Sequence, residues 1–160
     1  MRGWDYHPTV GLVLSGGVEC RGCGVECRRC ESIAGVERTT DSGSTFEELK
    51  SWGPWGLYQH CLKIVDEDRL FVAGGINRVG GGDKMREASM YRFSTDSWTA
   101  LNPMTHWRAG HTCSLVENYG GQKQIVVTGG WKGYYYYGVP VVLDSVEIWD
   151  LDTGLWQAGG

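Results

Sequence analysis

The chain has 160 residues, 41% hydrophobic and 21% charged. That suffices for one globular domain and is too apolar for a disordered chain. A net charge of −4 argues against nucleic acid or an anionic membrane surface as the main partner. With 25 Gly, 8 Trp and only 4 Pro, the composition suits short strands joined by tight turns.

In chain order, residues 1–9 read as a lead-in, because Trp4-Asp5-Tyr6-His7-Pro8-Thr9 is too short to be a convincing strand. No apolar stretch of signal-peptide length follows Met1, which favours the cytoplasm over the exterior, and no run is long enough to span a membrane. Gly11-Leu12-Val13-Leu14-Ser15 is then an apolar run closed by the pair Gly16-Gly17. Arg69-Leu70-Phe71-Val72-Ala73 closes on Gly74-Gly75, and Gln124-Ile125-Val126-Val127-Thr128 on Gly129-Gly130. The pairs lie 58 and 55 residues apart, a period long enough for a repeat built from several strands.

The segments that follow each pair also match. Tyr91 precedes Trp98 by seven residues and Trp149 precedes Trp156 by seven. Each couple frames a polar turn between two strands. After the first pair, Thr39 and Phe46 keep that spacing with a weaker residue in the first place. Ahead of the second and third pairs stand two further strands, led by His60 and His111. Aligning these histidines puts Leu62 over Cys113 on one face of the strand and Cys61 over Thr112 on the other. Arg108 precedes His111 by three residues, and Leu57 stands in its place before His60.

Each full unit thus has a His-led strand, a glycine-pair strand, an aromatic strand and a Trp strand. The chain therefore reads as all-β, with about three four-stranded antiparallel sheets. The pattern carried by Gly16, Gly17, Gly74, Gly75, Tyr91, Trp98, Gly129, Gly130, Trp149 and Trp156 resembles the kelch-repeat β-propeller family. On that resemblance residues 10–49 form a degenerate unit, and 57–101 and 110–158 form two full ones. Three blades do not close a ring, since propellers have about four to eight. The expectation is a fragment or half of a larger propeller, and two copies forming a homodimer would supply six blades.

The resemblance implies a non-catalytic protein-interaction module that binds a protein or peptide on one loop face. That face collects residues 18–32, 76–87 and 131–143 with the links 50–58 and 102–110. Kelch propellers also serve as substrate receptors of cullin-type ubiquitin ligases, which requires a BTB or F-box domain. No helical region of that kind is legible in these residues. A related propeller occurs in copper radical oxidases, which implies a metalloenzyme alternative using Tyr and His ligands. Here His60 and His111 occupy repeat-equivalent places, so packing is their expected role. No nucleophile–base pattern stands out, and no cofactor is expected.

On the loop face, Trp131, Tyr134, Tyr135, Tyr136 and Tyr137 would supply rigid amphipathic contact area. Arg78 and Arg86, with Lys84, would form a basic rim for an acidic peptide. The stretch CRGCGVECRRC places Cys20, Cys23, Cys27 and Cys30 in the first loop. Four thiolates suit zinc, but three residues between the CxxC halves is short for one tetrahedral ion. A disulfide ladder with Cys20–Cys30 outside Cys23–Cys27, reactive thiolates beside Arg21, Arg28 and Arg29, and a plain variable loop remain the alternatives. Cys113 reads as a small core residue and Cys61 as structural on the opposite face.

Overall fold

The computed structural model describes residues 3–16, 18–20, 30–32, 35–52, 56–77, 83–132 and 139–159; for 18–20, 30–32, 83 and 84 the description is of the backbone. The first sheet is an antiparallel meander of β1 (Gly3–His7), β2 (Gly11–Ser15), β5 (Val36–Thr39) and β6 (Glu47–Leu49), in that order across the sheet. Between its second and third strands the chain makes a two-stranded ribbon, β3 (Val18–Cys20) with β4 (Cys30–Ser32).

The second sheet repeats the plan with β8 (Cys61–Ile64), β9 (Arg69–Ala73), β12 (Ala88–Arg92) and β13 (Ser97–Ala100). Its ribbon joins β10 (Ile76–Asn77) and β11 (Asp83–Lys84) with β7 (Leu57–Tyr58) from the preceding link. The third sheet is β14 (Thr112–Glu117), β15 (Lys123–Thr128), β18 (Val146–Asp150) and β19 (Trp156–Gly159). Its ribbon is β16 (Trp131–Lys132) with β17 (Val141–Val142).

Residues 3–7, expected as a lead-in, are therefore a strand paired along its length with β2, from Gly3↔Ser15 to His7↔Gly11. The sequence hides this strand because its marker is missing. Arg2 stands where His60 and His111 precede the other first strands.

The sheets stack face to face with β1, β8 and β14 side by side. Two apolar layers hold the stack. Val13, Val36, Leu62, Ile64, Leu70, Val72 and Tyr91 fill the space between the first and second sheets. Cys61, Phe71, Ala73, Met90, Ile125, Val127 and Trp149 fill the space between the second and third. The strand patterns follow from these positions. β9, covered on both sides, is buried at four consecutive residues from Leu70 to Ala73. The outer sheets have one covered side, and β15 alternates with Ile125 and Val127 inward.

Tight turns are fixed by acidic and amide side chains. Asp66 accepts from the backbone of Asp68 and Arg69, and Asp150 from that of Asp152 and Thr153. Asn118 does the same for Gly120 and Gln122.

Candidate functional site

The repeat residues act at the joints between sheets. Trp98 Nε1 donates to Lys50 O at the end of the first sheet, 2.7 Å away. Trp156 Nε1 donates to Asn102 O at the end of the second, also at 2.7 Å. Tyr91 and Trp149 face their partners Trp98 and Trp156 across the strands, with ring centroids 5.0 and 5.2 Å apart. The aromatic couples thus pack within a sheet and tie it to the preceding one. Thr39 holds the same register place in the first sheet, opposite Leu12, and Phe46 beside it is exposed.

The histidines and glycine pairs lock together. Gly74, at φ +63°, leaves so little room that an added Cβ would stand 2.6 Å from His111 Cε1. At Gly16 the same atom would stand 2.7 Å from His60 Cε1. The second glycine of the next pair closes the other side, since a Cβ on Gly75 would meet His60 Cβ at 2.8 Å and one on Gly130 would meet His111 Cβ at 2.9 Å. Each imidazole is therefore clamped between two sheets. Gly129 differs, as a Cβ there would find nothing nearer than Leu143 O at 3.7 Å.

Burial drives both imidazoles down to about pKa 4. His60 Nε2 lies 2.6 Å from Ser15 Oγ. Ala73 takes the place of Ser15 beside His111, and neither ring nitrogen of His111 has a hydrogen-bond partner of good geometry among the described residues.

Arg108, fully buried, closes the third unit from inside. Its Nη1 donates to Gly129 O and Ser145 O at 2.9 and 3.2 Å, and its Nη2 to Ser145 Oγ and Glu147 Oε1 at 3.1 and 2.7 Å. Glu147 also accepts from the backbone of Thr105 and His106. These donors hold its carboxyl below the usual range against the opposing effect of desolvation.

Cys61 and Cys113 form a disulfide between the second and third sheets, with Cα atoms 5.8 Å apart. This corrects the expectation of a free, buried Cys113. The two residues do point to opposite faces of equivalent strands. In a stack of like sheets, opposite faces of neighbours are the ones that meet, so the opposed phases bring the sulfurs together.

All three ribbons leave their sheets at the same place in the topology, between second and third strands. Trp131 is half-buried, with its indole against Gly110, where a Cβ would stand 3.1 Å from Nε1. Arg86 is exposed. Gly17, Arg78, Tyr134, Tyr135, Tyr136, Tyr137, Cys23 and Cys27 lie outside the described residues. Cys20 and Cys30 are backbone partners across the first ribbon. Among the described residues no group of three or more His, Cys, Asp or Glu side chains is placed to hold a metal. No helix among them is long and apolar enough to cross a membrane.

Sequence reasoning missed a cavity of about 310 Å³ beside the second ribbon, whose lining includes Trp52, Leu57, Arg86, Glu87, Ser89 and Leu101. The available signal was the Leu57 that replaces Arg108.

No family model matches the chain, and no curated protein matches it. The solved structure of YjhT is similar in fold, with a TM-score of 0.69 at 16% sequence identity. The match covers 99% of this chain and 50% of YjhT, so the chain spans about half the length of that structure. Together with the sheets described above, it defines an all-β fold of repeated four-stranded antiparallel sheets.

Proposed function

We propose that the chain is a kelch-type β-propeller segment that binds a protein or peptide on its loop face, with no chemistry of its own. The observation that carries this reading is the common exit of the three ribbons, β3–β4, β10–β11 and β16–β17, each between the second and third strands of its sheet. Such a surface recognises by shape and by aromatic anchors. Peptides selected from a display library against the whole chain test it. Deleting residues 134–137 is expected to weaken the selected peptides at least about tenfold, a hot-spot effect, with melting unchanged; Trp131→Ala should weaken them as much while also lowering the melting temperature through lost packing on Gly110. Peptides that bind both variants as well as the parent chain would place recognition elsewhere.

The free faces of the outer sheets support closure by a second copy. The first sheet exposes Trp4 at 67% and Tyr6 at 61%, and the third leaves the Gly129 socket unfilled. Two copies supply six sheets, and light scattering on a sizing column distinguishes a dimer from a monomer. For the cysteine cluster, the pairing of Cys20 with Cys30 in register favours the disulfide ladder over zinc. With the Cys61–Cys113 bridge, it favours an oxidising compartment over the cytoplasm.

A further inference from the structure

The third unit contains its own arginine socket, and the second unit contains the same frame without the arginine. Gly74 N donates to Glu87 O just as Gly129 N donates to Ser145 O. Ala88 pairs with Ala73 as Val146 pairs with Thr128. Within this shared frame Leu57 replaces Arg108 and Ser89 replaces Glu147. The cavity of about 310 Å³ lies at that place.

We propose that this cavity takes the guanidinium side chain of an arginine presented by a partner protein or peptide. The chemistry is read from Arg108, which sits in the equivalent frame of the third unit and uses two carbonyls, a hydroxyl and a carboxylate. In the second unit the carbonyl of Glu87 accepts from Gly74 N as that of Ser145 accepts from Gly129 N, and Glu87 lines the cavity. The unit's carboxylate has moved two residues along the strand. Glu87 stands where Ser145 offers its hydroxyl to Arg108 Nη2, and Ser89 now supplies the hydroxyl. Glu87 is exposed, so the acid lies at the mouth, where a cation arriving from solvent meets it first.

Trp52, Leu57, Leu101 and Pro103 give apolar walls for the methylene stem of an arginine. A planar fork matches acceptors spread over several directions better than a lysine ammonium does. Arg86, which also lines the cavity, opposes a cation with its side chain, but its backbone N–H donates to Glu87 Oε2 at 2.9 Å and holds the carboxylate.

This inference rests on the partner-binding reading and names one residue the partner brings. The probe is Nα-acetyl-arginine amide, followed by amide chemical shifts of the whole chain. Its citrulline analogue, which is isosteric and uncharged, is the control. Saturable shifts near residues 52, 57, 85–89 and 100–103 are expected at about millimolar concentration, the range of a single side chain. The citrulline analogue and the Glu87→Gln variant should each bind at least about tenfold more weakly, as expected on loss of a charge-assisted bond.

The double variant Leu57→Arg/Ser89→Glu refills the socket from within, so it should remain folded and show no arginine shifts. Equal binding of arginine and citrulline, or unchanged binding by Glu87→Gln, would overturn the proposal, as would the absence of saturable shifts at these residues. Should the double variant not fold, Glu87→Gln decides. The two readings fail separately: if display peptides still require residues 131–137 while arginine leaves the cavity unshifted, partner binding stands and the socket falls.

Discussion

Removing the Cys61–Cys113 bridge should cost about a quarter of a typical domain's stability or more. The bridge spans a sequence separation of 52 residues. Closing a loop of that length in the unfolded chain removes about 14 cal/mol/K of entropy, or about 4 kcal/mol at 25 °C. A domain is stable by about 5–15 kcal/mol in all. At about 2.1 cal/mol/K per residue, a chain of this size should lose about 10 °C of melting temperature.

The assay is thermal and urea unfolding of the double variant Cys61→Ala/Cys113→Ala against the parent chain without reductant. Either single variant already breaks the bridge, and because each alanine also removes a buried sulfur, the double should lose at least as much as either single. A reductant should then have little further effect on the double variant through this pair. A double variant that melts within about 2 °C of the parent, less than 1 kcal/mol at this size, would refute the reasoning. So would alkylation of both cysteines in the denatured, unreduced parent chain.

Gly74→Ala should destabilise far more than Gly129→Ala, because both need positive φ but only Gly74 faces His111 and Arg108 O within 2.7 Å; urea unfolding should give about 1–2 kcal/mol for Gly129→Ala and clearly more for Gly74→Ala. Trp156→Ala and Trp98→Ala should each cost about 3 kcal/mol, through lost packing and an unpaired link carbonyl, read from urea midpoints. Glu147→Gln should cost about 3–5 kcal/mol in the same assay, since it leaves Arg108 buried without its counter-charge. Stability should fall as pH drops from about 6.5 towards 4, because His60 and His111 titrate near 6.5 when unfolded and near 4 when folded, so only the unfolded chain takes up protons in that window. The loss should be on the order of 3 kcal/mol for each histidine, and melting curves of His60→Gln should show a shallower pH slope.

The elements that carry a repeated marker were legible in the sequence. Glycine pairs, aromatic couples and lead histidines gave strand order and register for the second and third sheets, because each marker answers a steric demand at a sheet joint. β1 was missed for the same reason, since its marker position holds Arg2. The disulfide was hidden because strand phase was read one strand at a time, whereas the pairing depends on which faces of two sheets meet. The Arg108–Glu147 pair is split by 39 residues, and nothing local marks Glu147 as its partner. The absence of Arg108's equivalent at Leu57 was visible, but the cavity it leaves follows only once Ser89 and Trp52 are placed around it. The tyrosine run and the inner cysteines lie in segments with no repeat partner, so the regularity that made the rest readable does not reach them.

The two states of the buried socket, Arg108 with Glu147 and Leu57 with Ser89, also bear on how such units diverge. Passing from one to the other needs two substitutions, and either one alone strands a charge in the interior at about 3–5 kcal/mol. That is a large share of the about 5–15 kcal/mol by which a domain is stable, so the route is a fitness valley rather than a neutral walk. A cross-link of about 4 kcal/mol between adjoining sheets would roughly level the valley floor. Diversity at one joint then becomes contingent on a covalent tie at the next, and sequence drift in this chain should be epistatic across sheets rather than independent within them.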